Sequence, residues 1–346
     1  MTQSPANPTA TASSPVLEIQ ELSIRFPLND KGATQWATAV DQLNLTLYPG
    51  QILGLVGESG CGKSLTSLAI LKLVPKPGVF EAKTLNFQGK DLLTLNEQAM
   101  QQIRGAKIAM IPQDPLTSLN PVYTIGEQLC EVLTHHQHLS RSAAEKKAIA
   151  LLDQVKLPNA AERLKDYPHQ FSGGMRQRVM IAMALSCAPD LLIADEPTTA
   201  LDVTVQAQIL DLLREIQQEE KRAILLITHD LGVVAELCNE VAVMYAGRIV
   251  EKAPVDSIFH AAKHPYTQGL LNSLPTLHKK RLDPIEGQPP TLINLPLGCA
   301  FEPRCKHRMA HCKTNLPSWT SVSESHQAAC FLLDSPSPEL ANPAAV

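Results

Sequence analysis

An α/β fold with a mainly parallel sheet is the architecture this sequence predicts, and three observations carry it. Short apolar runs alternate with helical stretches along most of the chain. One run, Ile52 to Val56, leads straight into the glycine-rich loop GESGCGKS and then into a helix. Another, Leu191 to Asp195, ends in two adjacent carboxylates. A buried parallel strand delivers side chains in this way to the carboxyl edge of a sheet, where ligands bind.

The elements follow in order. Val16 to Phe26 alternates polar and apolar residues, which is the period of a half-buried strand. Leu43 to Leu47 is a second strand, closed by the Pro49-Gly50 turn signal. After the glycine-rich loop, Leu65 to Leu73 reads as a helix, stopped before Pro75 and Pro77. Ile108 to Ile111 is a short buried strand. From about residue 115 to 170 the pattern turns helical, clearest at Ala143 to Val155, and predicts an inserted helical subdomain. A loop at Phe171–Met175 then precedes a helix over Arg176 to Ser186. Val203 to Gln218 is an amphipathic helix, Ala223 to Thr228 a buried strand, and Leu231 to Cys238 a helix. Val241 to Val250 predicts a hairpin around Gly247.

Composition limits what such a fold could do. Hydrophobic residues make up 44% of the 346 and charged residues 18%, the balance of a globular chain. The formal net charge of −4 argues against a broad nucleic-acid surface, so no nucleic-acid partner is expected. No apolar run reaches the roughly 18 residues of a spanning helix. Residues 1–15 lack the basic start and apolar core of a signal peptide and predict a disordered leader. Residues 335–346 predict a disordered tail. The eight cysteines are too few for a disulfide scaffold, yet Cys299, Cys305, Cys312 and Cys330 crowd into the last fifth.

The loop Gly57-Glu58-Ser59-Gly60-Cys61-Gly62-Lys63-Ser64 fits G-x-x-x-x-G-K-[ST] in full. Its glycines let backbone N–H groups turn toward phosphate oxygens, and the helix that follows adds its positive end. Lys63 would reach the β- and γ-phosphates and Ser64 would ligate Mg²⁺. Cys61 fills a variable loop position, and Leu65 opens the helix. Asp195 would hold Mg²⁺, and Glu196 would act as general base toward the attacking water.

Four further elements follow this pair in order. They are Gln113 after a strand, Phe171-Ser172-Gly173-Gly174-Met175-Arg176-Gln177 before a helix, Ala200-Leu201-Asp202, and His229 at a strand end. Together the set resembles the ATP-binding subunit of an ABC transporter over about Leu17 to Ala262. The resemblance implies a P-loop NTPase fold: a RecA-like core, an antiparallel β subdomain and the inserted helical subdomain. It implies ATP and Mg²⁺ as ligands, with Gln113 sensing the metal and water and His229 orienting the water. Ser172, Gly173, Gly174 and Asp202 would act across a dimer, capping ATP bound by the other subunit. Phe26 aligns with the aromatic that stacks on adenine, with Trp36 its rival. The signature departs from the common LSGGQ at Phe171 and Met175, and neither change removes the serine hydroxyl or the glycine backbone.

Beyond residue 262 come His264-Pro265-Tyr266, then Glu286-Gly287-Gln288-Pro289-Pro290, then the four cysteines. This run resembles the C-terminal extension of the oligopeptide/dipeptide permease ATPases, with nickel-uptake ATPases as close relatives. The division expected is a nucleotide-binding unit over 16–262 and a small cysteine-containing extension over 263–334. Four thiolates in a reducing compartment suit either zinc or an iron–sulfur cluster, and their spacing decides neither. The resemblance implies a [4Fe–4S] cluster. The nearby His307, His311 and His326 read as surface residues, and His135, His136 and His138 as a solvated helix end. The partners implied are two transmembrane permease subunits, a paralogous ATPase or a second copy of the chain, and indirectly an extracytoplasmic solute-binding protein. The place implied is the cytoplasmic face of the inner membrane, held peripherally. Di- or oligopeptide is the expected cargo, with nickel or another small solute as alternatives. A soluble ABC ATPase of DNA repair or translation is the alternative of a different class. The compact insert without heptads and the single nucleotide unit weigh against it.

Overall fold

The computed structural model describes residues 14–30, 33–199, 201–274, 284–293 and 295–334. Most of the expected leader, the expected tail and Ala200 lie outside these residues.

Two sheets organise the chain. β1 (Leu17–Asp30) and β2 (Ala33–Leu47) pair antiparallel as a long ribbon. β3 (Ile52–Val56) begins the second sheet, and its five residues are all buried. α1 (Lys63–Ile70) then leads back to β4 (Val79–Glu81), β5 (Thr84–Phe87) and β6 (Lys90–Asp91), which complete the antiparallel subdomain. α2 (Glu97–Gln101) connects to β7 (Ile108–Ile111). The helical insert follows as α3 (Pro115–Ser118), α4 (Ile125–Gln137), α5 (Arg141–Gln154) and α6 (Ala160–Arg163). Local chemistry sets its boundaries. Thr124 and Glu127 form a capping box on α4, and Ser140 caps α5.

α7 (Gly173–Leu185), β8 (Leu191–Asp195), α8 (Val203–Glu220), β9 (Ala223–Thr228), α9 (Leu231–Leu237) and β10 (Glu240–Tyr245) restore the alternation. The chain continues as β11 (Arg248–Pro254), α10 (Val255–Ala261), α11 (Pro265–Asn272), β12 (Trp319–Ser323) and β13 (His326–Ala329). The large sheet runs β12-β13-β11-β10-β3-β9-β8-β7, parallel from β10 through β7. Buried on both faces, its central strands read as unbroken apolar runs. One apolar cluster joins a sheet face to the insert and α7 to α9. The other joins the opposite face to the antiparallel subdomain.

The C-terminal segment stands closer to the core than a separate appendage would. β13 pairs antiparallel with β11, so β12 and β13 extend the main sheet. His326, read from sequence as a surface residue, is buried, and its Nε2 lies 2.8 Å from Glu251 Oε1. Glu251 is fully buried and also accepts the backbone N–H groups of Lys263 and His264. This correction has a simple cause: a polar neighbourhood in sequence hides a partner 75 residues away. His135 and His138 are exposed, as expected, and His138 ends α4 in the left-handed conformation, whereas His136 is half-buried beside Gly105.

Candidate functional site

The phosphate loop joins β3 to α1, and its shape demands glycine at both ends. A Cβ on Gly57 would lie 2.2 Å from the Met244 carbonyl oxygen. Gly62 has φ of 110°, and a Cβ there would lie 2.5 Å from the Ala39 oxygen. The loop thus wraps tightly against β10 and β2. Lys63 Nζ donates to the Gly57 and Glu58 carbonyls at 2.8 and 3.0 Å, so its ammonium sits inside the curve of the loop. Ser59, Gly60 and Ser64 are exposed at its mouth, while Cys61 is buried against the small apolar cluster. Burial pushes the Cys61 thiol up, in keeping with a packing role. Leu65 is half-buried and packs on the same cluster.

Asp195 and Glu196 occupy opposite electrostatic environments although they are neighbours in sequence. Burial raises the Asp195 carboxyl, a hydrogen bond from Ser64 opposes this, and the Glu196 charge adds to the rise. Its Oδ1 is buried without a hydrogen-bond partner, and the Ser64 hydroxyl neighbours the same carboxylate. A hard cation fits that donor set, since it would satisfy the buried oxygen and draw on the serine. Burial would also raise Glu196, but hydrogen bonds from His229 and Thr199 outweigh it and hold the carboxyl low.

Three residues meet at this carboxylate, two of them from distant parts of the sequence. Gln113 Nε2 donates to Glu196 Oε2 at 2.8 Å, and Thr199 Oγ1 donates to the same oxygen at 2.9 Å. His229 Nδ1 lies 3.1 Å from Oε1. Gln113 follows β7, Glu196 follows β8 and His229 follows β9, so adjacent parallel strands deliver all three to one edge. Glu196 itself has φ of 47°. Only the surrounding contacts hold a non-glycine residue there, including its N–H bond to the Ile227 oxygen. Thr199 escaped the sequence reading, although its place in the turn after Glu196 is a usable signal.

The signature residues stand apart from this cluster. Ser172 caps α7 by accepting from the Met175 N–H, and Asp202 caps α8 by accepting from the Val205 N–H. Gly174 lets the two helix starts approach, since a Cβ there would lie 2.6 Å from Val205 Cγ1. Gly173 faces Leu201 more loosely, at 3.8 Å. Ser172, Gly173 and Asp202 are exposed. Phe26 is half-buried, cross-strand from Ala37 and packed on Gly78, whereas its rival Trp36 is 43% exposed.

The four C-terminal cysteines line one cavity of about 20 Å³, walled by Phe301, Met309, Pro317 and Phe331. Burial raises the Cys299 and Cys305 thiols and pushes Cys330 up to about 11. Among the described residues, no three His, Cys, Asp or Glu groups are placed to hold one metal ion. This corrects the expectation of a ready metal centre. The thiols come from separate turns and a strand end and line the cavity together.

Two family profiles match the chain. One described as ABC transporter covers residues 40–199, and one described as the oligopeptide/dipeptide transporter C-terminal region covers 250–312. The chain is 50% identical to the dipeptide transport ATP-binding protein DppD of Bacillus subtilis, over 92% of this chain and 95% of that one. It is 49% identical to the oligopeptide transport ATP-binding protein OppD of Salmonella typhimurium, over 91% and 93%. A dimeric bacterial ABC transporter cassette shares the fold at a TM-score of 0.60 and 24% identity, covering 69% of this chain and 98% of that one. With a complete phosphate loop, an acidic strand end and these relatives, the chain belongs to the ABC transporter ATP-binding proteins, in their oligopeptide/dipeptide branch, and is an ATPase.

Proposed function

We propose that the chain powers the import of di- or oligopeptides by hydrolysing ATP at the cytoplasmic face of the inner membrane. It would do so beside a paralogous ATPase or a second copy, docked on two permease subunits that receive cargo from a solute-binding protein. Among the described residues, no helix is long and apolar enough to cross a membrane, which suits a subunit that relies on other chains for the pathway. Relatives named for dipeptide and oligopeptide transport support the cargo.

The convergence of Gln113, Thr199 and His229 on the Glu196 carboxylate is the observation that carries the mechanism. Lys63 neutralises phosphate charge from inside the loop. Ser64 and Asp195 would hold Mg²⁺, which supplies charge neutralisation on the phosphates. Glu196, kept ionised, takes a proton from water as the water oxygen bonds to the γ-phosphorus. The bond to the β-phosphate oxygen breaks, leaving ADP and phosphate. Gln113 and His229 fix the carboxylate and the water's approach. Phe26 stacks on adenine, while Ser172, Gly173, Gly174 and Asp202 close over the partner's nucleotide. Glu196→Gln keeps the shape but loses the charge and the base, so it should bind ATP and hydrolyse it about 10²–10⁴-fold more slowly. Turnover at the parent rate would overturn the assignment.

The four cysteines are read as ligands of a [4Fe–4S] cluster. Four soft thiols lining one cavity are the donor type that such a cluster takes. Protein purified without oxygen should be brown, and Cys305→Ser should lose the colour. A colourless parent carrying one zinc would reverse this reading.

A further inference from the structure

We propose that the C-terminal segment braces the phosphate loop, with Arg304 and Tyr266 as positioning residues that act through Glu58. The inference rests on reading Gly57–Ser64 as the triphosphate cradle, and concerns what holds that cradle in shape.

Glu58 is the second residue of the loop, and both its side chain and its backbone are gripped from outside the nucleotide unit. Arg304 bridges the carboxylate with both guanidinium nitrogens, Nη1 to Oε2 at 2.7 Å and Nη2 to Oε1 at 2.9 Å. The Glu58 N–H donates to the Tyr266 hydroxyl at 2.9 Å. The third polar group of the residue, its carbonyl, accepts from Lys63 Nζ. The ammonium expected to meet the phosphates is therefore anchored on a residue whose other two polar groups belong to the C-terminal segment.

The brace is built to be stiff. The Arg304 side chain is only 5% exposed, and its planar fork matches a carboxylate in one geometry. Its Nε donates to the Glu286 oxygen and Nη1 to the Tyr245 hydroxyl, so the guanidinium cannot swing away. The Tyr245, Tyr266 and Phe301 rings pack together beneath it, with centroids 4.5 to 5.4 Å apart. Tyr245 ends β10, the strand beside β3, and the neighbouring Met244 oxygen abuts Gly57. One rigid block thus contacts the loop at its first and second residues. A loop that must place several N–H groups within hydrogen-bond reach of phosphate loses rate steeply when shifted by about 1 Å.

The test uses the full-length chain, with binding of a fluorescent trinitrophenyl-ATP probe, the KM for MgATP, and melting temperature measured together. Arg304→Ala and Glu58→Ala should each raise probe Kd and KM about tenfold, and the double variant should be no worse than either single one. Tyr266→Phe should raise KM independently of Glu58→Ala. Arg304→Lys, which keeps the charge but cannot bridge both oxygens, guards against a variant that fails to fold, and should restore less than half of the loss. Additive effects in the double variant, or a parental KM in folded Arg304→Lys and Arg304→Ala, would overturn the brace. Lys63→Ala separates the two ideas. If it binds the probe as the parent does, the cradle reading fails. If it loses binding while the Arg304 variants keep theirs, only the brace fails.

Discussion

His264 shows how much a single side chain can tie together. It is fully buried, its Nδ1 accepts the Tyr266 N–H that starts α11, and burial pushes its pKa from 6.5 down to about 3. The sign of the resulting pH effect follows directly. Between those values the unfolded chain binds a proton that the folded chain refuses, so stability rises with pH there. It is complete above 6.5 and is lost as pH falls toward 3, at up to about 1.4 kcal/mol per pH unit. Melting followed from pH 7 to 4 should show this slope. His264→Asn, which can still cap the helix but does not titrate, should flatten it. Legibility in the sequence divides along the same line. Lys63, Ser64, Asp195 and Glu196 stand out because their chemistry needs fixed local spacing. Arg304 does not, because its partner Glu58 lies 246 residues away. His326 was misread for the same reason.

At the scale of elements, strands buried on both faces declare themselves and exposed strands do not. Ile52–Val56, Ile108–Ile111, Leu191–Asp195 and Ala223–Thr228 match their predicted limits to the residue, because unbroken apolar runs have sharp edges. β4, β6 and β12 carry mostly exposed residues, leaving no alternation to detect. The predicted division after residue 262 also meets an element-scale obstacle, since β13 seals the edge of β11 and covers Glu251. A chain ending at Ala262 would strip that buried carboxylate of His326 and of the Lys263 and His264 N–H groups. Such a truncation should melt well below the full chain or collect as aggregate through the opened strand edge. A soluble product with the parental melting temperature would show the nucleotide unit to be self-sufficient.

At the scale of the whole molecule, the Glu196 cluster and the signature residues belong to different elements. The cluster around Glu196 lies at the sheet edge, and the caps of α7 and α8 present Ser172, Gly173 and Asp202 exposed. Under the proposed two-chain sandwich, Glu196→Gln with MgATP should elute at twice the mass of the nucleotide-free chain, because stalled hydrolysis preserves the closed form. Adding Gly174→Asp should return it to the smaller size, since a carboxylate there meets both Val205 and the partner's phosphate. Dimers that ignore this second change would place the contact elsewhere.

The grip of Arg304 on Glu58 has a consequence for synthesis as well as for catalysis. Ribosomes add roughly 5–20 residues each second, and 246 residues separate the two partners. Each new copy therefore carries an unbraced phosphate loop for roughly 10–50 s after that loop is made. Until Arg304 has been added, the nascent chain holds a phosphate loop whose Glu58 carboxylate lacks that guanidinium.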